Sequence, residues 1–278
     1  MSNDVVVTEF RKNGFFLIKN FYDVETEVAP IQNAIRDIVL AVAKRHGVSV
    51  PASTSLEALT VGYRALIKHD RSWGAEVYDA VKQIPAFLRL VSSEKNDRIF
   101  KEIRQNSLPG IAAGGFGIRI DNPSEDRFRS PWHQEFPAQL RSLDGIVFWT
   151  PLLEIAEDMG PVEIAAGSHA EGIIPVYEEN ASGRAGAYAL RLDREEERLA
   201  KYQRVAPLTN PGDLVLMDFL TMHQSGENRS DKPRWSIQFR YFNFNEPLGQ
   251  RIGWTGSFAA NVDFRQVIPE LAAPGYTP

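Results

Sequence analysis

The texture of the chain changes near Pro109, and that change sets the fold class. Before it, apolar residues recur at helical spacing. Val24 to His46 carries Ile31, Ile35, Ile38, Val39 and Val42 on one face, and Gly47 is a natural stop. Thr54 and Glu57 have the spacing of a capping box for a second helix, with Leu56, Leu59, Tyr63, Leu66 and Ile67 on its apolar face. Two more helices are expected over Gly74 to Leu90, broken at Pro85, and over Glu94 to Arg104 after Ser92-Ser93. Ahead of them, Gly14 to Ile18 reads as a strand.

After Pro109 come short runs rich in β-branched and aromatic residues. The expected strands are Gly115 to Ile120, Trp132 to Leu140, Ile146 to Leu152, Val162 to Ala165, Gln203 to Pro207, Leu214 to Asp218 and Trp235 to Phe244. Turn signals at Asn122-Pro123, Asp144-Gly145 and Asn210-Pro211-Gly212 separate them, and the spacing suggests an antiparallel sandwich or barrel. The insertion 171–200 reads as loop, with Asn180-Ala181-Ser182-Gly183 inside it and a charged helix around Asp193 to Ala200. The expected organisation is a single domain over 1–278, with a helical elaboration at 24–105 and a β core at 109–250.

Composition narrows the function. With 43% hydrophobic and 24% charged residues the chain reads as an ordinary soluble protein, and 278 residues can bury a large core. A net charge of -5 argues against a nucleic-acid surface. The lack of cysteine removes disulfides, thiolate metal sites and a cysteine nucleophile, and is compatible with a reducing cytosol. MSNDVVVTEF has neither the basic start nor the apolar stretch of a signal peptide, and no later run is apolar enough for a membrane span. A cytoplasmic protein acting on a small molecule is expected, with no nucleic-acid or membrane partner; a homo-oligomer is compatible with the sequence.

His133, Glu135 and His223 are the residues that carry chemistry. Two imidazoles and one carboxylate leave half of an octahedron open, the donor set of a non-haem Fe(II) oxygenase. On a strand, His133 and Glu135 would share a face and Gln134 would point away. Arg234, eleven residues after His223, could then hold a carboxylate cosubstrate. Each piece has a plainer reading. A lone His after a strand serves as a hydrogen-bonded structural residue, and Arg234 could pair at the surface with Glu227 or Asp231. The run from Arg234 to Tyr241 alternates Arg, Ser, Gln and Arg with Trp, Ile, Phe and Tyr, a pattern that a solvent-facing strand explains equally well. His169 is read as ordering a loop, and His46 and His69 as helix-end residues. Arg119 and Arg240 are candidates for an anionic substrate, with a surface charge near Asp121 as the alternative for Arg119. Gly114-Gly115-Phe116-Gly117 lacks the sequel of a phosphate loop, and no nucleophile elbow supports a hydrolase.

Several motifs stand in order: Pro131-Trp132-His133-Gln134-Glu135, Phe148-Trp149-Thr150-Pro151-Leu152, Met159-Gly160-Pro161-Val162-Glu163-Ile164, Ala166-Gly167-Ser168-His169, Pro211-Gly212-Asp213 and His223-Gln224-Ser225-Gly226-Glu227-Asn228. Together they resemble the phytanoyl-CoA dioxygenase (PhyH-like) family, a branch of the Fe(II)/2-oxoglutarate-dependent oxygenases. The resemblance covers Gly14 to Phe21 and Pro109 to Phe244. It implies a mainly β fold, a double-stranded β-helix (jelly-roll, cupin-like) core flanked by the helices. It implies iron held by His133, Glu135 and His223, and 2-oxoglutarate held by Arg234 with Ser225 and Trp149. Where the family usually carries Asp, this chain has Glu135; a carboxylate at this position speaks against halogenation.

The function so implied is hydroxylation of an unactivated C–H bond of a small metabolite by Fe(II), 2-oxoglutarate and O2, with release of succinate and CO2, or a desaturase or epimerase variant of that chemistry. Two other readings use the same residues. A zinc-type hydrolase or isomerase would not require Arg234 or Ser225, and a jelly-roll binding protein would need no metal.

Overall fold

The computed structural model describes residues 3–179, 190–256 and 263–276. Its centre is an antiparallel sheet in the order β1 (Phe15–Ile18), β9 (Leu214–Asp218), β4 (Ile146–Pro151), β11 (Arg234–Asn243) and β2 (Pro109–Ile111). β3 (Gly117–Asp121) pairs with the first half of β11 and β2 with its end, so both share one edge of that long strand. A smaller antiparallel sheet is ordered β10 (His223–Ser225), β5 (Val162–Ala165) and β8 (Arg204–Val205).

Strand alternation splits the interior into two apolar layers. One face of the large sheet presents Ile146, Phe148, Leu214, Leu216, Trp235, Ile237, Phe239 and Tyr241 to the helices. The other presents Val147, Trp149, Val215 and Met217 toward Val162 and Ile164 of the smaller sheet. β11 therefore turns its apolar face to the helices, and Arg234, Ser236, Gln238 and Arg240 face the space between the sheets. The solvent-facing reading of that strand is corrected: its polar face lines the space between the two sheets, and the helical layer takes its apolar face.

The helices follow the expected periodicity. After a π-helical turn at Val24–Val28, capped by the Asp23 carboxylate, the helix Ala29–Arg45 buries Ile31, Ile35, Val39 and Val42. Gly47 ends it with φ +68°, a conformation costly for residues with a Cβ. Thr54 Oγ1 accepts from Glu57 N at 3.1 Å, while Glu57 reaches back to Ser53 N at 2.7 Å, so the capping box closes one residue early. The expected helix over Gly74 to Leu90 is two helices, Trp73–Val81 and Pro85–Val91, with Pro85 at the start of the second, where its missing N–H costs nothing.

Two expectations fail. Trp132 to Leu140 is not a strand: only His133 bridges to another strand, and Glu135–Gln139 is a short helix. Pro137 is the signal against the strand, because it cannot donate to a ladder but fits a first helical turn. The insertion 171–200 is not all loop. Val176–Glu178 (β6) pairs with Leu190–Leu192 (β7), whereas the charged helix expected near its end is present as Glu195–Leu199; Asn180 to Gly183 lies outside the described residues. Among the described residues no helix is long and apolar enough to cross a membrane.

Trp235 joins the sheet to the helical layer. It is fully buried, its ring meets Tyr63 edge-on at 5.0 Å, and its Nε1 donates to Leu59 O at 2.7 Å. Trp235→Phe removes that buried hydrogen bond and part of the packed ring and is expected to cost about 2 kcal/mol, read as a lower urea midpoint at unchanged m-value.

Candidate metal centre

His133 and His223 face each other across a two-bond bridge. His133 N donates to His223 O, and His223 N donates to His133 O, each at 3.0 Å. The rings sit 4.2 Å apart. His133 Nδ1 lies 2.8 Å from Pro131 O, and His223 Nδ1 lies 2.9 Å from Thr221 O. A carbonyl only accepts, so each Nδ1 carries the proton and each Nε2 keeps its lone pair. Both lone pairs are directed at Glu135, whose Oε2 is 3.8 Å from His133 Nε2 and 3.7 Å from His223 Nε2. All three ligand atoms lie within 4.8 Å of one another. A single ion with ligand bonds of about 2 Å bridges gaps of this size after a small inward adjustment.

The route by which Glu135 reaches this point differs from the expected one. It opens the helix Glu135–Gln139 instead of standing two places along a strand from His133. Gln134 pegs the turn between them: its side-chain amide donates to Gly172 O and Leu220 O at 2.8 and 2.7 Å and accepts from Ile174 N at 2.9 Å. A fully bonded, buried amide fixes the chain direction, and the extra methylene of Glu is taken up by the helical start.

Burial by itself would raise the Glu135 carboxyl, but the Arg240 charge outweighs it and holds the group well below the usual carboxylate range. Arg240 Nε donates to Oε1 at 3.0 Å and an Nη to Oε2 at 3.3 Å. Gln238 and the Gly115 carbonyl fix the guanidinium in turn. Burial, then the nearby His133, lowers the His223 pKa, with Glu135 opposing, and the neutral imidazole is the form that ligates a metal.

The same cavity, of about 470 Å³, is lined by Trp149, Ser225, Arg119 and Arg234. Arg234 is 2% exposed. Its Nε and Nη2 hold Asp121 Oδ2 at 3.3 and 2.8 Å, while Nη1 is buried without a partner. Ser236 Oγ, two residues along the same strand face, is likewise buried and unpartnered. Glu227 and Asp231, the surface partners considered for Arg234, instead pair with Arg229 and Arg64. Arg119 does pair with Asp121, at 2.7 Å, but this is an interior contact with side chains 12% and 11% exposed. The β3–β11 register sets Asp121 opposite Arg234 and Arg119 opposite Ser236, which places two guanidinium groups on one carboxylate.

The other histidines lie outside the site. His169 Nε2 is 2.9 Å from Arg11 O, His46 pairs with Glu76 at 2.9 Å, and both His46 and His69 stack on Trp73. Sequence reasoning missed Gln134 as a peg and Arg240 as the partner of Glu135. A polar residue between two ligands was the available signal for the first. The second has no local signal, because its partner is 105 residues away.

Two outcomes test this arrangement. Arg240→Met is expected to weaken metal binding about 10- to 100-fold in equilibrium dialysis, as loss of a ligand's supporting hydrogen bonds does. For Asp121, burial opposes ionisation, but Arg119 and then Arg234 outweigh it and lower the pKa. Its stabilisation is complete above the unfolded value of about 3.9 and is lost as pH falls through the lower folded value. Urea midpoints of wild type and Asp121→Asn should differ at neutral pH and converge in acid.

Comparison with known proteins agrees with this geometry. The sequence matches the family model of phytanoyl-CoA dioxygenase (PhyH) over residues 10–236. Comparison with curated proteins finds no match. Among solved structures, the epimerase SnoN from nogalamycin biosynthesis, in complex with Fe3+, alpha ketoglutarate and nogalamycin RO, aligns with TM-score 0.57 at 15% identity, covering 87% of this chain and 83% of that one. EctD from S. alaskensis with 2-oxoglutarate and 5-hydroxyectoine aligns with TM-score 0.57 at 18% identity, covering 87% and 76%. AviO1 from Streptomyces viridochromogenes aligns with TM-score 0.52 at 15% identity, covering 88% and 97%. At these identities the structures establish a common fold. With residues 10–236 matched, this chain belongs to the phytanoyl-CoA dioxygenase family of 2-oxoglutarate-dependent oxygenases.

Proposed function

We propose that the protein is an Fe(II)- and 2-oxoglutarate-dependent dioxygenase that hydroxylates an unactivated C–H bond of a small molecule. The observation that carries this reading is the convergence of two proton-fixed imidazoles and one carboxylate beside an unpartnered arginine nitrogen in one cavity. A water-activating zinc site needs the first part only, so Arg234 Nη1 favours the oxygenase over the hydrolase reading.

The residues suit both groups. His133, Glu135 and His223 supply nitrogen and oxygen donors to one side of an ion and leave the other positions open, as iron(II) oxygenases require. Arg234 offers a buried donor, and a guanidinium makes charge-assisted bonds to a carboxylate. Ser225, two residues after His223 on β10, adds a hydroxyl to the same cavity wall, and Trp149 adds an apolar one. Iron(II), 2-oxoglutarate and dioxygen together supply the oxidation of a C–H bond to an alcohol, with succinate and carbon dioxide as co-products. The chain's part is to bind, orient and exclude water. Val147, Trp149, Val162 and Met217 form the apolar wall that keeps bulk water from the reacting centre. Arg240 holds Glu135 charged and directed, and Asp121 holds the Arg234 guanidinium in the cavity wall.

Anaerobic addition of Fe(II) and 2-oxoglutarate to the metal-free protein should produce a weak visible charge-transfer band in wild type and none in His223→Ala. A folded, metal-loaded wild type without the band would sink the reading. Arg234→Ala should raise the 2-oxoglutarate requirement about 100-fold while leaving iron affinity within a few-fold, because Arg119 still compensates Asp121. Arg234→Lys should fall between, since a point charge replaces a planar fork.

A further inference from the structure

We propose that the substrate is a small organic anion with an apolar body. Its reacting end enters the metal cavity over the bare backbone of Gly117, and its body lies in an annex between the helix Trp73–Val81 and β3. This rests on the oxygenase reading and names what that site takes.

Charge is the first support. The whole chain carries -5, yet Lys82, Arg119, Arg234 and Arg240 face the cavity against one carboxylate, Glu135. Asp121 serves two of these cations, and Asp79 sits 3.1 Å from Lys82. A divalent ion and a dianionic cosubstrate cancel each other, so four cations still face three carboxylates. Asp79 is 74% exposed and screened by water, whereas the three arginine side chains are at most 12% exposed. A cleft with low-dielectric walls focuses this excess positive potential and favours a ligand bearing negative charge beyond that of the cosubstrate.

Shape is the second support. Gly117 lies opposite Gln238 on the cavity side of β3, in line with Arg119 and Asp121. Its φ is not positive, and a Cβ built there meets nothing within 4 Å. Gly115 differs, since a Cβ there would strike Gln139 Oε1 at 2.7 Å. The fold therefore requires no glycine at 117. Gly117 opens β3, and a glycine there that no protein neighbour demands leaves bare backbone that a ligand can approach closely.

The annex is the third. It holds about 240 Å³ and is lined by Tyr63, Ala75, Tyr78, Ile120 and Phe128, with Arg71, paired to Glu125, on its rim; it shares Tyr78 and Arg119 with the metal cavity. Tyr78 and Phe128 are 42% and 46% exposed. Two exposed aromatic rings beside a mainly apolar recess that meets the metal cavity at Tyr78 and Arg119 fit the apolar part of a ligand whose charged or reacting end is held further in.

The test uses cobalt(II)-loaded protein with N-oxalylglycine in place of the cosubstrate, titrated calorimetrically with 4-phenylbutanoate and with its neutral amide. The carboxylate should bind about tenfold or more tightly than the amide, and added salt should narrow the gap. Gly117→Val should weaken the carboxylate about tenfold or more, with cobalt and N-oxalylglycine affinities within about twofold of wild type. Ala75→Trp, at an exposed helix position, should weaken both probes alike by filling the annex. Equal affinity for the two probes, no binding of either, or indifference to Gly117→Val would overturn the proposal. If N-oxalylglycine does not bind the cobalt protein, the oxygenase reading fails by itself, and the same titrations on metal-free protein still decide the preference for charge and shape.

Discussion

β11 is the constraint around which the molecule is arranged. Ten residues long, it sends Trp235, Ile237, Phe239 and Tyr241 into the helical layer and Arg234, Ser236, Gln238 and Arg240 into the space between the sheets. Burying two arginines is costly unless each is matched, because unpaired interior charge loses its hydration without return. The matching groups are Asp121 from β3 and Glu135 from the turn after His133. The strand that fastens the sheet to the helices thus also fixes the charge pattern of the cavity, and one of its counter-ions is a candidate metal ligand.

The triad owes its geometry to backbone more than to side-chain packing. The reciprocal bond pair between His133 and His223 sets the two imidazoles side by side, tilted by 50°, and the Pro131 and Thr221 carbonyls set their tautomers. Gln134 ties the intervening turn to three backbone groups of two other segments. Holding ligands this way leaves their lone pairs directed inward before any ion arrives, which lowers the cost of assembling the site.

The helical layer has two roles. Its inner side completes the core behind the sheet. Its helix Trp73–Val81, with the following Lys82, reaches round the sheet edge and brings Tyr78 and Lys82 to the cavity. The candidate ligand donors and these cavity-lining side chains therefore come from different parts of the chain.

The sequence by itself determined the main elements and the identity of the candidate ligands. Short β-branched and aromatic runs marked β4, β5 and β9, alternation marked β11, helical spacing marked Ala29–Arg45, and the ordered motifs pointed to His133, Glu135, His223 and Arg234. These signals are local, set by periodicity and spacing that a short stretch of chain carries. Only the tertiary structure decided which face of β11 looks inward, since a period of two defines two faces without saying what covers either. It also decided that Arg240 serves Glu135 and that the Arg119–Asp121 pair lies inside the protein. Those outcomes depend on partners 105 to 113 residues apart, Arg240 with Glu135 and Arg234 with Asp121. Their attraction exists only after packing has brought the strands together and excluded water from between them.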